Sequence, residues 1–251
     1  MFERVSVYKD GKKQDSKSFG YVSNLVFIDA GARAGELFPD ENGPGVYFCA
    51  NEEKKCLEVR PDLGQHVKWA WMPFPFEVPR ENYHQAEFHL FEPNPIFFEE
   101  LERKAKYASQ FNCIVWVHGL AIGDKTEKTK FLLTDGGWGS TICEDKQNEN
   151  FVDEIEVQKI DFLGFLDFLH KRAEGTPKID IKMDIEGAEY EVLERMFANW
   201  KNYCYGVQNL SVEFHRDFFT EKHDAWIAKC YIFIISAIKN GIKFNWWPGE
   251  W

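Results

Sequence analysis

No stretch of this chain is apolar for long enough to cross a bilayer. The longest candidate, Tyr231 to Ile238 broken only by Ser236, falls far short of the ~20 residues a spanning helix needs. The N-terminal residues have no apolar signal core and run quickly into Lys9, Asp10, Lys12 and Lys13, which predicts a cytoplasmic protein, with a truncated lumenal enzyme as the alternative. Positive charge is also short: 30 Lys and Arg stand against 41 Asp and Glu, a formal charge of −11. That is the wrong sign for a general polyanion binder, so nucleic acid is excluded as an expected partner. The six cysteines, at 49, 56, 113, 143, 204 and 230, form no Cys-x-x-Cys, which argues against zinc-ribbon and thioredoxin chemistry. Reduced, partly buried thiols are expected, with a Cys49 to Cys56 disulfide as the alternative in an oxidising compartment. Internal repeats and low-complexity linkers are missing too, so residues 1–251 read as a single domain.

The chain does hold an ordinary globular composition, 44% hydrophobic and 28% charged, and at 251 residues it can bury roughly three quarters of its unfolded surface. Residues 1–24 are polar and predict a lead-in or edge hairpin outside the core. Leu25 to Ile28 is a short continuous apolar run ending at Asp29 and a glycine turn, the pattern of a strand buried on both faces. Runs at 87–91, 113–122, 179–185 and 210–214 resemble it. Between them lie helical patterns at 96–109, 162–173, 188–200 and 224–239. Strands alternating with helices imply a doubly wound α/β domain with a mostly parallel sheet. Two segments break the rhythm. Residues 36–86, with six prolines and Trp69, Trp71, Phe74 and Phe76, predict an insertion after the first strand that covers the acceptor side. Residues 129–160 predict a β-excursion around Gly136-Gly137-Trp138-Gly139.

The turn after the first run reads Asp29-Ala-Gly31-Ala32-Arg33-Ala-Gly35, where a doubly wound sheet lets a ligand approach backbone amides. Its spacing is not G-x-G-x-x-G, and a carboxylate at its mouth would repel a pyrophosphate, which argues against a nicotinamide enzyme. S-adenosylmethionine presents an amino group and a sulfonium for Asp29, and a carboxylate for the turn's N–H groups. At the end of the second run, Glu92 in Phe91-Glu92-Pro93-Asn-Pro95 can accept both ribose hydroxyl protons. At the end of the third, Gly123-Asp124 can meet an adenine edge or simply make a turn.

These residues belong to five segments that occur in order: Phe27-Ile-Asp-Ala-Gly-Ala-Arg-Ala-Gly35, Phe91-Glu-Pro-Asn-Pro95, Leu120-Ala-Ile-Gly-Asp124, Ile181-Lys-Met-Asp-Ile-Glu-Gly-Ala-Glu-Tyr190 and Leu210-Ser-Val-Glu-Phe-His215. Together they resemble the FkbM-type family of S-adenosylmethionine-dependent O-methyltransferases across residues 25–215, the Asp-Ile-Glu-Gly-Ala-Glu segment being the most specific. The resemblance implies a Rossmann-like class I methyltransferase fold. It implies a cofactor loop of Asp29, Gly31 and Gly35, a ribose acid at Glu92, and an acceptor side at 184–189. Known members mostly methylate hydroxyls of sugars or glycosylated natural products. The acceptor cannot be carried over, because the 36–86 insertion departs from the pattern.

Methylating an alcohol needs alignment and a way to remove the hydroxyl proton. Asp184, Glu186, Glu189, Glu213 and His215 all fall at the carboxyl ends of the fourth and fifth runs. Asp184 and Glu186 alternate, as do Glu213 and His215, so each pair can share a face. His215 is the expected general base, with Asp184 or Glu213 orienting it or contacting the acceptor hydroxyl. The alternative makes Asp184, Glu213 and His215 a shell for Mg²⁺ or Mn²⁺. Glu189 reads equally as a helix-start acid complementing the dipole, and Gly187 as a close backbone approach. Trp138, Gly139, Ser140 and the C-terminal Trp246-Trp247-Pro-Gly-Glu-Trp251 offer faces for sugar rings or fill the core. Asn209-Leu-Ser211 matches a glycosylation acceptor but enters a buried strand and is discounted. A methyltransferase for a carboxyl, an amine or another non-sugar molecule, and an inactive nucleoside-binding module, stay open beside the sugar reading.

Overall fold

The computed structural model describes residues 5–16, 23–35, 37–44, 48–53, 56–59, 86–137, 139–143, 151–216 and 223–248. The chain opens with an antiparallel hairpin of β1 (Val5–Lys9) and β2 (Lys12–Gln14). Next comes β3 (Leu25–Ala30), the first strand of the parallel series, followed by a small antiparallel pair, β4 (Phe48–Asn51) and β5 (Cys56–Val59). β6 (Glu87–Phe91), α1 (Phe98–Ala108) and β7 (Ile114–His118) continue the alternation. β8 (Ala121–Gly123), β9 (Glu127–Thr134) and β10 (Phe151–Asp161) form a separate three-stranded sheet. The second half runs α2 (Phe162–Arg172), β11 (Lys178–Met183), α3 (Glu189–Ala198), α4 (Trp200–Tyr203), β12 (Val207–Phe214), α5 (His223–Lys239) and β13 (Lys243–Pro248).

Every residue of β6 and β7 is buried, as strands covered by helices on both faces must be. α1 turns Leu101, Ala105 and Ala108 inward and carries Glu99 and Glu100 in its first turn, where acids complement the helix dipole. α2 starts at Asp161, whose side chain accepts from Leu163 N at 3.1 Å, an N-cap bond. On one face of the sheet, Ile28, Phe91, Leu166, Ile181, Met183 and Phe214 join one core. On the other, Phe27, Phe38, Phe48 and Phe88 pack with ring centroids 5.1–5.9 Å apart, the spacing of edge-to-face aromatic contacts.

The main sheet has the order β13-β12-β11-β3-β6-β7-β1-β2. The first six are parallel to their neighbours, and the terminal hairpin joins β7 antiparallel. The architecture is α/β with a mixed, mostly parallel sheet. From β3 the chain steps outward through β6 and β7, then returns to the other side of β3 for β11, β12 and β13. Strand order therefore reverses between β3 and β11, and the connections leaving their carboxyl ends diverge to leave a crevice.

Some details differ from the sequence reading. The run at 113–122 is two strands in two sheets, β7 and β8, because uninterrupted apolar composition carries no mark of a corner. In the 1–24 segment, Val7 and Tyr8 are buried, since β1 seals the edge of β7. Within the 36–86 segment, Leu37, Phe38, Phe48 and Leu57 pack into the aromatic core. Trp69, Trp71, Phe74 and Phe76 lie outside the described residues, as do Trp138, Trp251 and the side chains of Cys49, Cys56 and Trp247. Cys113, Cys143, Cys204 and Cys230 are free thiols. Asn209 is buried, and its amide donates to Asp180 Oδ1. No helix among the described residues is long and apolar enough to cross a membrane.

Candidate functional site

The turn after β3 is pinned to its neighbour strand by its own amides. Gly31 N and Ala32 N donate to Phe91 O at 3.0 and 2.9 Å, and Gly35 N donates to Ala32 O at 2.8 Å. Arg33 N donates to Glu92 Oε2 at 2.8 Å. The expectation that these N–H groups hold a ligand carboxylate is thereby corrected: four of them are spent on the chain itself. Gly31 is required by a close approach, since a Cβ there would lie 1.8 Å from Asp184 O on a backbone with φ +82°. Gly35, at φ +70°, packs against Leu101 of α1.

Asp29 does not stand at the mouth of this turn. It is 1% exposed, and its Oδ1 lies 3.2 Å from Lys182 Nζ. Lys182 sits directly opposite Asp29 in the β3–β11 register. Its ammonium donates to Gly31 O at 2.9 Å and to Asp184 Oδ2 at 3.3 Å. Two of its donors thus meet hydrogen-bond acceptors, and Asp29 adds an ion pair. Burial acts to lower the Lys182 pKa, but Asp29 and Asp184 outweigh it and hold the group well above the ordinary lysine range. Sequence reasoning passed over Lys182, although a signal existed. Along β11, Ile179, Ile181 and Met183 feed the core, while Asp180, Lys182 and Asp184 alternate with them and place charges of alternating sign on the other face of a buried strand.

Glu92, at the end of β6, receives Asn94 N on Oε1 at 2.7 Å as well as Arg33 N on Oε2. Burial raises its pKa to about 7 against these two hydrogen bonds and the pull of Arg33 and Lys182. Each of its oxygens retains a lone pair.

Asp184 and Glu186 leave β11 where the chain turns toward α3, Glu186 on a left-handed backbone of φ 51°. Arg33, also left-handed at φ 48°, brings its guanidinium to 3.8 Å from Asp184 Oδ2 and 3.6 Å from Glu186 Oε1. Non-glycine residues in this region cost about 1 to 3 kcal/mol each and concentrate at functional sites. From β12, His215 reaches into the same acids. Its Nε2 lies 3.4 Å from Glu186 Oε2, 3.6 Å from Asp184 Oδ1 and 3.8 Å from Glu213 Oε1. Glu189 is fully buried; its Oε2 accepts from Gly187 N at 2.7 Å, and its Oε1 accepts from His215 N at 2.9 Å and lies 3.2 Å from His215 Nδ1. Tyr190 OH donates to His215 O at 2.8 Å and accepts from Trp226 Nε1 at 2.8 Å.

One expectation changes here. The acid that orients His215 is Glu189, rather than Asp184 or Glu213, because the first turn of α3 carries it beneath the ring. Burial alone would depress the His215 pKa, but Glu189, Glu186 and Asp184 raise it to about 10. Asp184 is held down at about 2: burial opposes this, and Lys182, Arg33 and His215 prevail.

A pocket of about 530 Å³, counting its open mouth, lies at this crevice. Gly31, Arg33, Glu92, Pro93, Asp184 and Glu186 line it, together with an apolar wall that includes Phe97, Leu120, Ala121, Ile122, Phe131 and Ile142. Gly139 and Ser140 of the β-excursion also line it, and Thr141 Oγ1 donates to Glu186 O. Ala32 and Asp29 lie behind the lining. Asp124 is not in the lining, and its Oδ1 lies 3.2 Å from Lys159 Nζ. His215 touches the acids from beneath, while Glu213 stands on β12 beside it.

A family model described as the methyltransferase FkbM domain matches residues 62–231. The match begins after the Asp29–Gly35 turn and takes in Glu92, Asp184, Glu186, Glu213 and His215. No curated protein and no solved structure matches the chain.

Proposed function

The chain belongs to the FkbM methyltransferase family, and from that premise we propose that it methylates a hydroxyl group of a sugar or glycosylated acceptor. S-adenosylmethionine, the donor the family implies, supplies an electrophilic methyl on a sulfonium. The residues fit that donor. Glu92 keeps a lone pair on each oxygen for a ribose diol, beside an apolar wall of Ala121, Ile122 and Phe131 that suits a flat base. The Arg33 guanidinium, partly exposed in the lining, is the cation suited to the methionine carboxylate, a role the spent turn amides cannot fill.

The observation that carries the reading is that Glu92 and the pair Asp184 and Glu186 open onto one pocket, so a donor anchored at one end meets carboxylates at the other. In-line displacement requires the acceptor oxygen to be aligned and its proton removed as the bond forms. Glu186 is the acid in the lining whose second oxygen is not drawn toward Lys182, and it takes that proton. Asp184, fixed by Lys182, accepts a neighbouring hydroxyl of the acceptor and sets its angle. Paired acceptors of this kind suit a polyhydroxyl ring, and the Phe97 ring in the lining suits its apolar side. The 8-stranded sheet beneath keeps both ends of the pocket on rigid strand termini.

The test is transfer of isotopically labelled methyl from S-adenosylmethionine to a panel of mono- and oligosaccharides, with carboxylic acid and amine acceptors alongside and products located by mass spectrometry. Label on a saccharide hydroxyl, reduced at least 100-fold in Glu186→Gln, is the expected result. Label confined to carboxyl or amine acceptors overturns the sugar reading, and donor binding without transfer to any class overturns the assignment of activity.

A further inference from the structure

We propose that Asp184 Oδ1, Glu186 Oε2 and His215 Nε2 form a binding site for one divalent cation of Mn²⁺ type, with Glu189 as its outer support. Each carboxylate in the lining divides its two oxygens. Asp184 turns Oδ2 to Lys182 and Arg33, and Glu186 turns Oε1 to Arg33. The remaining oxygens, Asp184 Oδ1 and Glu186 Oε2, face His215 Nε2 at 3.6 and 3.4 Å, and Glu213 Oε1 approaches the same nitrogen at 3.8 Å. Ligands about 2.1 Å from an octahedral ion and subtending about 90° stand about 3 Å apart, so the 3.4 and 3.6 Å separations need to close by only about half an ångström on binding. The candidate atoms of Asp184, Glu186 and His215 all lie within 4.8 Å of one another.

Two further observations point to a ligand rather than to a mere gathering of acids. Asp184 is 5% exposed, yet its Oδ1, aimed into the cluster, accepts no hydrogen bond. His215 is held by Glu189 through the ring nitrogen opposite the cluster, at 3.2 Å from Nδ1. A carboxylate behind a histidine, fixing Nδ1 and presenting Nε2, is the outer-shell arrangement that orients histidine ligands toward metals. One imidazole among carboxylates favours Mn²⁺ over the all-oxygen preferences of Mg²⁺ and Ca²⁺. The use of the ion, polarising an acceptor hydroxyl at the pocket floor, rests on the methyltransferase reading; its binding does not.

The experiment is titration of the purified full chain with Mn²⁺ followed by electron paramagnetic resonance, with calorimetric titration of S-adenosylhomocysteine on the same preparations with and without the ion. One Mn²⁺ per chain is expected, with affinity reduced at least tenfold in His215→Ala and about 10- to 100-fold in Glu189→Gln, while homocysteine-product affinity in the absence of metal stays within threefold of the parent. Should His215→Ala fail to fold, Glu186→Gln, which changes no volume, carries the same tenfold expectation. A free-Mn²⁺ signal undiminished by equimolar protein, or equal affinity in Glu186→Gln and the parent, overturns the site. Loss of product binding with Mn²⁺ binding intact instead overturns the methyltransferase reading and leaves the cation site standing.

Discussion

Replacing Lys182 by methionine keeps most of the side-chain volume and removes the one charge placed between Asp29, Asp184 and Gly31 O. At 3.2 and 3.3 Å from the two carboxylates, the ammonium gains about 5 kcal/mol of Coulomb attraction from each at an effective dielectric of about 20. Most of that gain offsets the cost of burying three charges, so the pair adds little over a well-packed apolar substitute. Deleting one partner is different, because two carboxylates then stay buried without their ammonium, a situation that costs roughly 3 to 5 kcal/mol. The Gly31 O hydrogen bond adds about 1 kcal/mol. The expected loss for Lys182→Met is therefore about 4 to 6 kcal/mol, a large share of the 5 to 15 kcal/mol typical of a folded domain, read as a drop in urea midpoint with unchanged slope. Asp29→Asn in the Lys182→Met background removes one uncompensated charge and should restore at least 1 kcal/mol, whereas Asp29→Asn alone destabilises. That sign reversal is the signature of a direct pair in a double-mutant cycle. A loss below 1 kcal/mol for Lys182→Met, or additive effects of the two changes, would refute the reasoning that this ammonium staples the crevice.

Further expectations concern the pocket. Glu92→Gln leaves one backbone N–H facing an amide N–H and forfeits a charged acceptor, so affinity for S-adenosylhomocysteine should fall roughly 10- to 100-fold, at about 1.5 to 3 kcal/mol for a charge-assisted bond, in calorimetry. Because the Glu92 pKa is raised to about 7 and the ribose diol requires the ionised carboxylate, affinity in the parent should hold above pH 7 and decline as pH falls below it. The decline should approach tenfold per unit and be absent in Glu92→Gln; a flat profile in the parent would remove Glu92 from the ribose. Gly31→Ala puts a methyl 1.8 Å from Asp184 O, so the turn must leave β11. Product binding should be abolished and thermal stability reduced, and a variant with parent-like melting and binding would contradict the close approach.

Much of the fold is legible in the sequence because its elements are local. Runs such as Leu25 to Ile28 and Glu87 to Phe91 announce strands buried on both faces, and the spacing of Leu101, Ala105 and Ala108 announces the inner face of α1. The glycine turn, Glu92 and the Asp184 to Glu189 segment are equally local, so their membership of one site can be read from order along the chain once a doubly wound sheet is assumed. What that reading missed is long-range. The run at 113–122 holds a corner between two sheets that apolar composition does not encode.

The sequence by itself determined which residues stand at the carboxyl ends of the strands, since alternation and turn chemistry act over a few residues. Only the tertiary structure decided what each of them faces. Asp29 was expected to meet a ligand and instead meets Lys182, because register sets those two side by side across β3 and β11. The turn amides of Gly31 and Ala32 close on Phe91 O, because β6 packs against that loop. Glu189 reads as a helix-start acid until α3 docks under β12 and lays it against His215 Nδ1. These assignments depend on which strands become neighbours, a property of the whole chain's packing to which no short stretch of residues is sensitive.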